Sequence, residues 1–171
     1  MRFFNVYGPN ESHKKNMTSP IYSFYKQALK NRSINLFNGR SFLNYKKISR
    51  DFIYINDVCE IMYKVINLNK DISGIYNLGT SNDNTFYNVA NEIKKYLYNK
   101  KKLSIKIKKI SFPDNLIDGY QHYTKSNPVN LRKLIGKYKF TTLEDGIHQT
   151  IDWWRNRFVN GMVRRNKSFS K

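Results

Sequence analysis

Cysteine is nearly absent: Cys59 is the only one in 171 residues, so no disulfide can close within the chain and a reducing compartment suits it. Long apolar runs are missing too. No stretch approaches the roughly 18 residues a membrane-spanning helix needs, and the apolar N-terminal segment is cut by Gly8 and Pro9 before it could form a signal-peptide core. From these absences no membrane partner is expected, and the cytoplasm is the expected location. The histidines His13, His122 and His148 stand at no metal-ligand spacing, so no metal is expected. Glycine is sparse, and none of the 8 falls in a dinucleotide-type turn, a phosphate loop or a nucleophile elbow.

Acidic residues are scarce as well. Twelve Asp and Glu stand against 31 Lys and Arg, a net charge of +19, which is the electrostatic footprint of a nucleic-acid binder. Against that reading, the lysines are scattered rather than gathered on one recognition helix, apart from the run Asn99 to Lys109. The chain is also rich in residues with A/T-rich codons and has only two alanines, Ala28 and Ala90, so mutational bias explains much of the basicity. Nucleic acid is therefore not the expected partner.

What is present alternates between strand and helix patterns, which argues an α/β architecture. "MRFFNVY" reads as a strand followed by a Gly-Pro loop. Ser19-Pro20 opens a helix over "IYSFYKQAL", and "INLFNG" is a short strand running into a turn. "RDFIY" is a strand leading to a helix with Asp57 as its N-cap. "SGIYNLGT" is a buried strand, Thr85 caps "FYNVANEIKKYLY", and "LSIKIKKISF" alternates like an edge strand with a charged outer face. "NLRKLI" is a short helix stopped by Gly136, and Thr142 with Asp145 opens the last helix. One domain over residues 1–158 and a disordered basic tail over 159–171 are expected.

The order of these segments carries more than any one motif. "NVYGPNESHKKNM", "LFNG", "RDFIYINDV", "GIYNLGT", "FPDNL" with "GYQ", and "TTLEDGIHQTIDWW" together resemble the C-terminal half of an extended short-chain dehydrogenase/reductase. Within it, Glu11, His13 and Lys14 after "NVYGPN" resemble the ADP-glyceromanno-heptose 6-epimerase family. The resemblance implies the last strands of a Rossmann-type parallel sheet plus a small α/β substrate-binding domain. It implies an isomerase of lipopolysaccharide core-sugar synthesis that inverts carbon 6 of ADP-heptose through a transient ketone, with NADP as cofactor.

On that resemblance Lys14 is the catalytic acid or base for one face of the sugar, and Val6 and Lys14 touch the cofactor. Asn5, Asn16, Ser23, Phe37, Asn38, Gly39, Arg40, Arg50 and Tyr120 touch the substrate, Arg50 and Tyr120 at its diphosphate and sugar. An ordinary ammonium holds its proton at neutral pH, so the role asks for a nearby positive charge, which Lys15 supplies, and a site closed to water. Read without the resemblance, Lys14 is a solvated surface lysine and Arg50 a strand-edge ion pair.

The resemblance also implies that a Gly-rich cofactor turn and a Tyr-x-x-x-Lys pair belong upstream of "RFFNVYGP". A separately encoded N-terminal half is thus an expected partner, oligomerisation is expected once assembled, and no activity is expected from the chain alone. Several positions depart from the family pattern: Asn16 replaces a Ser, Ser23 a His, Asp118-Gly119 a Gly-Arg pair, and about five extra residues lie between Gly39 and Arg50. A decayed gene remnant, a basic binding module, and half of another nucleotide-sugar epimerase or dehydratase are the alternatives.

Overall fold

A computed structural model of the chain describes residues 1–38, 48–69, 71–113 and 120–167, with the side chains of residue 16 and residues 157–167 left aside. The elements run β1 (Arg2–Phe3), β2 (Asn5–Tyr7), a 3-10 turn (Ser12–Met17), α1 (Pro20–Asn31), β3 (Ser33–Asn38) and β4 (Ser49–Tyr54). They continue with α2 (Ile55–Ile66), β5 (Asn77–Leu78), β6 (Asp83–Thr85), α3 (Phe86–Lys101), β7 (Lys106–Ser111), α4 (Val129–Ile135) and α5 (Leu143–Lys167). The α/β reading is met. Parallel pairs join β1 to β5, β2 to β4 and β3 to β7, while β6 runs antiparallel to β4.

All six residues of β4 are buried, which suits a strand covered on both faces. Its side chains alternate between two apolar clusters. Phe52 and Tyr54 join the larger one, built from α1, β3, α3 and α5, and Ile53 joins a smaller one with α2, β5 and α4. Arg50 shares the alternation of Phe52, and Asp51 that of Ile53.

The local start signals hold where the sequence carries them. The Ser19 hydroxyl accepts the Tyr22 N–H at 3.3 Å, Thr85 accepts Asn88 N–H at 3.0 Å and Thr142 accepts Asp145 N–H at 3.1 Å, so each caps its helix. Three local expectations change. The first strand is interrupted at Phe4, because its front half pairs with β5 and its back half with β4. "SGIYNLGT" contributes only Asn77–Leu78 to a sheet. Helix α2 starts one turn earlier than expected, with Tyr54 at the N-cap. Asp57 instead turns its carboxylate across the fold to Thr141 N–H (3.0 Å), Thr141 Oγ1 (2.9 Å) and the Tyr138 hydroxyl (3.0 Å). Helix α5 runs from Leu143 to Lys167.

Candidate functional site

The loop leaving β2 is tied by one acid. Glu11 is 1% exposed. Its Oε1 accepts the Gly8 N–H at 3.2 Å and the Ser19 hydroxyl at 2.7 Å, and its Oε2 accepts the Ser19 N–H at 2.6 Å. The carboxylate therefore joins the end of β2 to the cap of α1. Between those ends the chain forms its 3-10 turn, with Lys14 N–H donating to the Glu11 carbonyl at 3.0 Å. Lys15 follows at φ 48°, ψ −116°, a backbone conformation that L-residues rarely adopt. His13, Lys14 and Lys15 are all exposed. The closed, dry setting that the lysine's role asks for is not made by the described residues of this chain.

A cavity of about 830 Å³ lies between this turn and α1, lined in part by Lys15, Ser23, Lys26 and Lys30. A second, of about 320 Å³, shares Thr18, Ser23 and Gln27 with it and reaches Phe37 and Phe86. Both fall in the size range of small-molecule sites. Lys15 lines the larger cavity, and Lys14 is not among its described lining residues. Gln27 fixes Ser23 between the two. Its Nε2 donates to Ser23 Oγ at 3.3 Å while its Oε1 accepts the Asn35 N–H of β3 at 2.9 Å.

Beyond the second cavity a continuous series of rings and one guanidinium connects residues distant in sequence. Phe37 meets Phe112 at 5.2 Å, Phe112 meets Tyr120 edge-on at 4.7 Å, and the Arg50 guanidinium lies 5.5 Å from the Tyr120 ring and 5.6 Å from that of Phe86. The segment after Tyr120 reaches this position because it runs alongside the start of β4: Ser49 N–H donates to the His122 carbonyl at 3.0 Å, and Thr124 N–H to the Ser49 carbonyl at 3.3 Å.

Arg50 is 7% exposed. Its Nη1 donates to the Ser49 carbonyl at 3.0 Å and its Nη2 to the Gln121 carbonyl. Burial pulls its pKa below the ordinary arginine value, with Tyr120 opposing; burial likewise raises the Tyr120 phenol, with Arg50 opposing. The ion pair expected of Arg50 without the resemblance is thus replaced by stacking and carbonyl acceptors.

Four of the residues singled out in the sequence, Ser23, Phe37, Arg50 and Tyr120, therefore lie along one cavity-and-ring series. The others are placed differently. The Asn5 amide cross-links strands, donating to the Asp51 carbonyl at 3.2 Å and to Thr124 Oγ1 at 3.0 Å. Val6 packs against the smaller apolar cluster. Asn38 is exposed at the end of β3. Gly39, Arg40 and the side chain of Asn16 lie outside the described residues. Sequence reasoning assigned no role to Glu11, Gln27, Phe86 or Phe112. The first carried a signal, a lone acid eight residues before a helix cap; Phe86 read only as the first residue of the helix that Thr85 caps.

Among the described residues no set cradles a dinucleotide, and no Gly-rich turn for a pyrophosphate lies in the sequence. For a metal, Glu92, Glu144 and His148 bring one ligand atom each within 4.8 Å of one another, although Glu92 is already paired with Lys95 Nζ at 2.8 Å.

Residues 1–79 match the family model described as the NAD dependent epimerase/dehydratase family. Among solved structures, the Helicobacter pylori ADP-L-glycero-D-manno-heptose-6-epimerase is 25% identical, with a TM-score of 0.71 over 88% of this chain and 42% of its own. The Methanobrevibacter ruminantium UDP-N-acetylglucosamine 4-epimerase, solved in complex with UDP-N-acetylmuramic acid, is 21% identical, with a TM-score of 0.72 over 91% of this chain and 45% of its own. The Bacillus anthracis dTDP-glucose 4,6-dehydratase, solved in complex with NAD, is 21% identical, with a TM-score of 0.67 over 91% and 43%. The chain spans less than half the length of each of these proteins.

Proposed function

We propose that the chain is the substrate-binding half of a nucleotide-sugar epimerase, and specifically of an NADP-dependent ADP-heptose 6-epimerase. The observation that carries the reading is the series Phe37–Phe112–Tyr120–Arg50–Phe86 beside the Ser23 cavity. It supplies aromatic faces for a base or sugar and one buried cation for a diphosphate, which a guanidinium suits through charge-assisted hydrogen bonds. The ADP-heptose assignment rests on Glu11, His13 and Lys14 after "NVYGPN" and on the 25% identity to the Helicobacter enzyme.

Carbon 6 of such a heptose has no adjacent carbonyl, so its configuration can be inverted only by oxidation and re-reduction. NADP, when bound, supplies the hydride acceptor and donor. This chain's own work is to hold the sugar nucleotide along the cavity and to move a proton at Lys14 Nζ. The remaining cofactor contacts and the second proton-transfer group belong to a preceding half, which would pair with the open side of β1 and β2. Among the described residues β1 pairs only with β5 and β2 only with β4, and Phe3 is half exposed. An apolar strand edge of this kind calls for a partner.

The test is to co-express the chain with such a half, purify on a tag carried by one of them, and assay interconversion of ADP-heptose epimers with NADP. Co-purification with turnover that Lys14→Ala abolishes is the expected result. An inert or insoluble chain would favour the remnant reading, and binding of nucleic acid with a steep salt dependence would favour a basic module. A different epimerase or dehydratase is the second reading, favoured by the TM-score of 0.72 to the UDP-sugar enzyme against 0.71 to the Helicobacter enzyme. UDP- and dTDP-sugars run beside ADP-heptose decide between the two.

A further inference from the structure

The lysine of the proposed reaction sits on a turn whose two ends close on one buried acid, and we propose that Glu11 is the positioning residue for Lys14. The inference rests on the reading of Lys14 as the proton-transfer group.

The placement of Glu11 is not explained by helix capping. Ser19 already caps α1 with its own hydroxyl, so the helix would start without the acid. Nor is Glu11 a surface charge. In a chain with 31 basic residues its carboxylate is 1% exposed and takes as partners two backbone N–H groups and a hydroxyl. Burying a carboxylate is costly unless its oxygens are satisfied, and here three donors satisfy them. What these bonds fix is the separation of Gly8 from Ser19, the two ends of the turn.

The interior of the turn shows why such a clamp matters. Lys14 is tied to the same residue through its backbone N–H, and Lys15, directly after it, holds a backbone conformation that persists only where the surroundings over-determine it. The side chains of His13 and Lys14 extend from this span into the open. The turn is thus clamped at its ends, strained in its middle, and exposed where the proposed chemistry lies. Releasing the clamp lets Lys15 relax and moves the Lys14 ammonium with it.

Glu11→Gln is the informative variant. It keeps the shape but replaces one acceptor with an NH₂ group, which then faces a donor. In the assembled enzyme, Glu11→Gln should lower kcat by about 10- to 100-fold, as expected for misplacing a catalytic group by about 1 Å. KM should stay within about twofold, because the substrate is held by Arg50 and the rings rather than by the turn. On the chain alone, amide hydrogen exchange should rise over residues 12–18 and stay unchanged in β4. If Glu11→Gln does not assemble, Glu11→Asp, whose shorter arm cannot reach both ends, is read the same way. A wild-type pair with turnover and a variant of unaltered kcat overturns this inference and leaves the function standing. A wild-type pair without turnover overturns the function and this inference together. A loss that appears only in KM, or exchange that rises equally in β4, assigns Glu11 to general stability and overturns the positioning role.

Discussion

Substituting Asp51 should strongly destabilise the chain that holds the site, and the geometry sets the size of the effect. Asp51 is fully buried on the face of β4 opposite Arg50. Its Oδ1 accepts the Thr80 N–H at 2.9 Å and the Thr80 hydroxyl at 2.6 Å; its Oδ2 accepts Ser81 N–H and Ser126 N–H, both at 2.9 Å. Backbone comes so close that a Cβ on Gly79 would lie 2.8 Å from Oδ2. In Asp51→Ala the Ser81 N–H keeps the Ser126 hydroxyl at 3.0 Å, and the Thr80 hydroxyl has the Asn82 carbonyl at 3.2 Å. Thr80 N–H and Ser126 N–H are left without an acceptor. At about 1–3 kcal/mol for each buried group left unpaired, the loss is about 2–6 kcal/mol, a large part of the ~5–15 kcal/mol of a typical domain.

Asp51→Asn separates this account from a simple loss of charge. An amide presents one acceptor and one donor, so its NH₂ faces either the Ser81 and Ser126 N–H groups or the Thr80 N–H and hydroxyl. In the second orientation the Thr80 hydroxyl accepts the NH₂ and donates to the Asn82 carbonyl, so only the Thr80 N–H loses its acceptor and Asn should cost about 1–3 kcal/mol, less than Ala. Urea unfolding followed by circular dichroism, with linear extrapolation, measures both variants. An Asp51→Asn chain as stable as wild type would refute the argument, because it would mean that the Thr80 N–H finds water.

Two further outcomes follow from packing and burial. Gly146→Ala should destabilise by about 1–3 kcal/mol, since the added Cβ would run into the Tyr7 hydroxyl beneath α5 and overpack the core. Helix propensity alone predicts a gain of about 1 kcal/mol, so the sign of the shift in urea midpoint decides. Alkaline pH should unfold the chain. Burial raises the pKa of Tyr7, Tyr25, Tyr54, Tyr96 and Tyr138 above the ordinary phenol value. A group whose pKa is higher folded than unfolded adds stability that is complete below about pH 10 and is lost as pH rises past it. Tyrosinate absorbance should therefore show one set of phenols ionising near pH 10 and a second set ionising only as the circular dichroism signal collapses. A single step near pH 10 with the fold intact would contradict this.

Features that depend on neighbours a few residues away are legible in the order of amino acids alone. Ser19-Pro20, Thr85 and Thr142 mark helix starts because a capping hydroxyl reaches only two or three residues along the chain. "RDFIY" reads as a strand because alternation is a local pattern. The ordered segments around Lys14 were legible too, as a resemblance. Tertiary structure decided wherever the partner is remote in sequence. Asp57 reads as a cap from its neighbours, yet the helix starts at Ile55 and the carboxylate is taken by Thr141, brought to it by the chain's return along α2. Arg50 has the position of an edge cation, yet it lies between Phe86 and Tyr120, because residues 122–124 run alongside Ser49. Glu11 looks like a loop acid and is buried, because both ends of its turn converge on it. No local pattern encodes such convergence: a carboxylate's setting depends on which donors the fold delivers, and the chain delivers them from any distance.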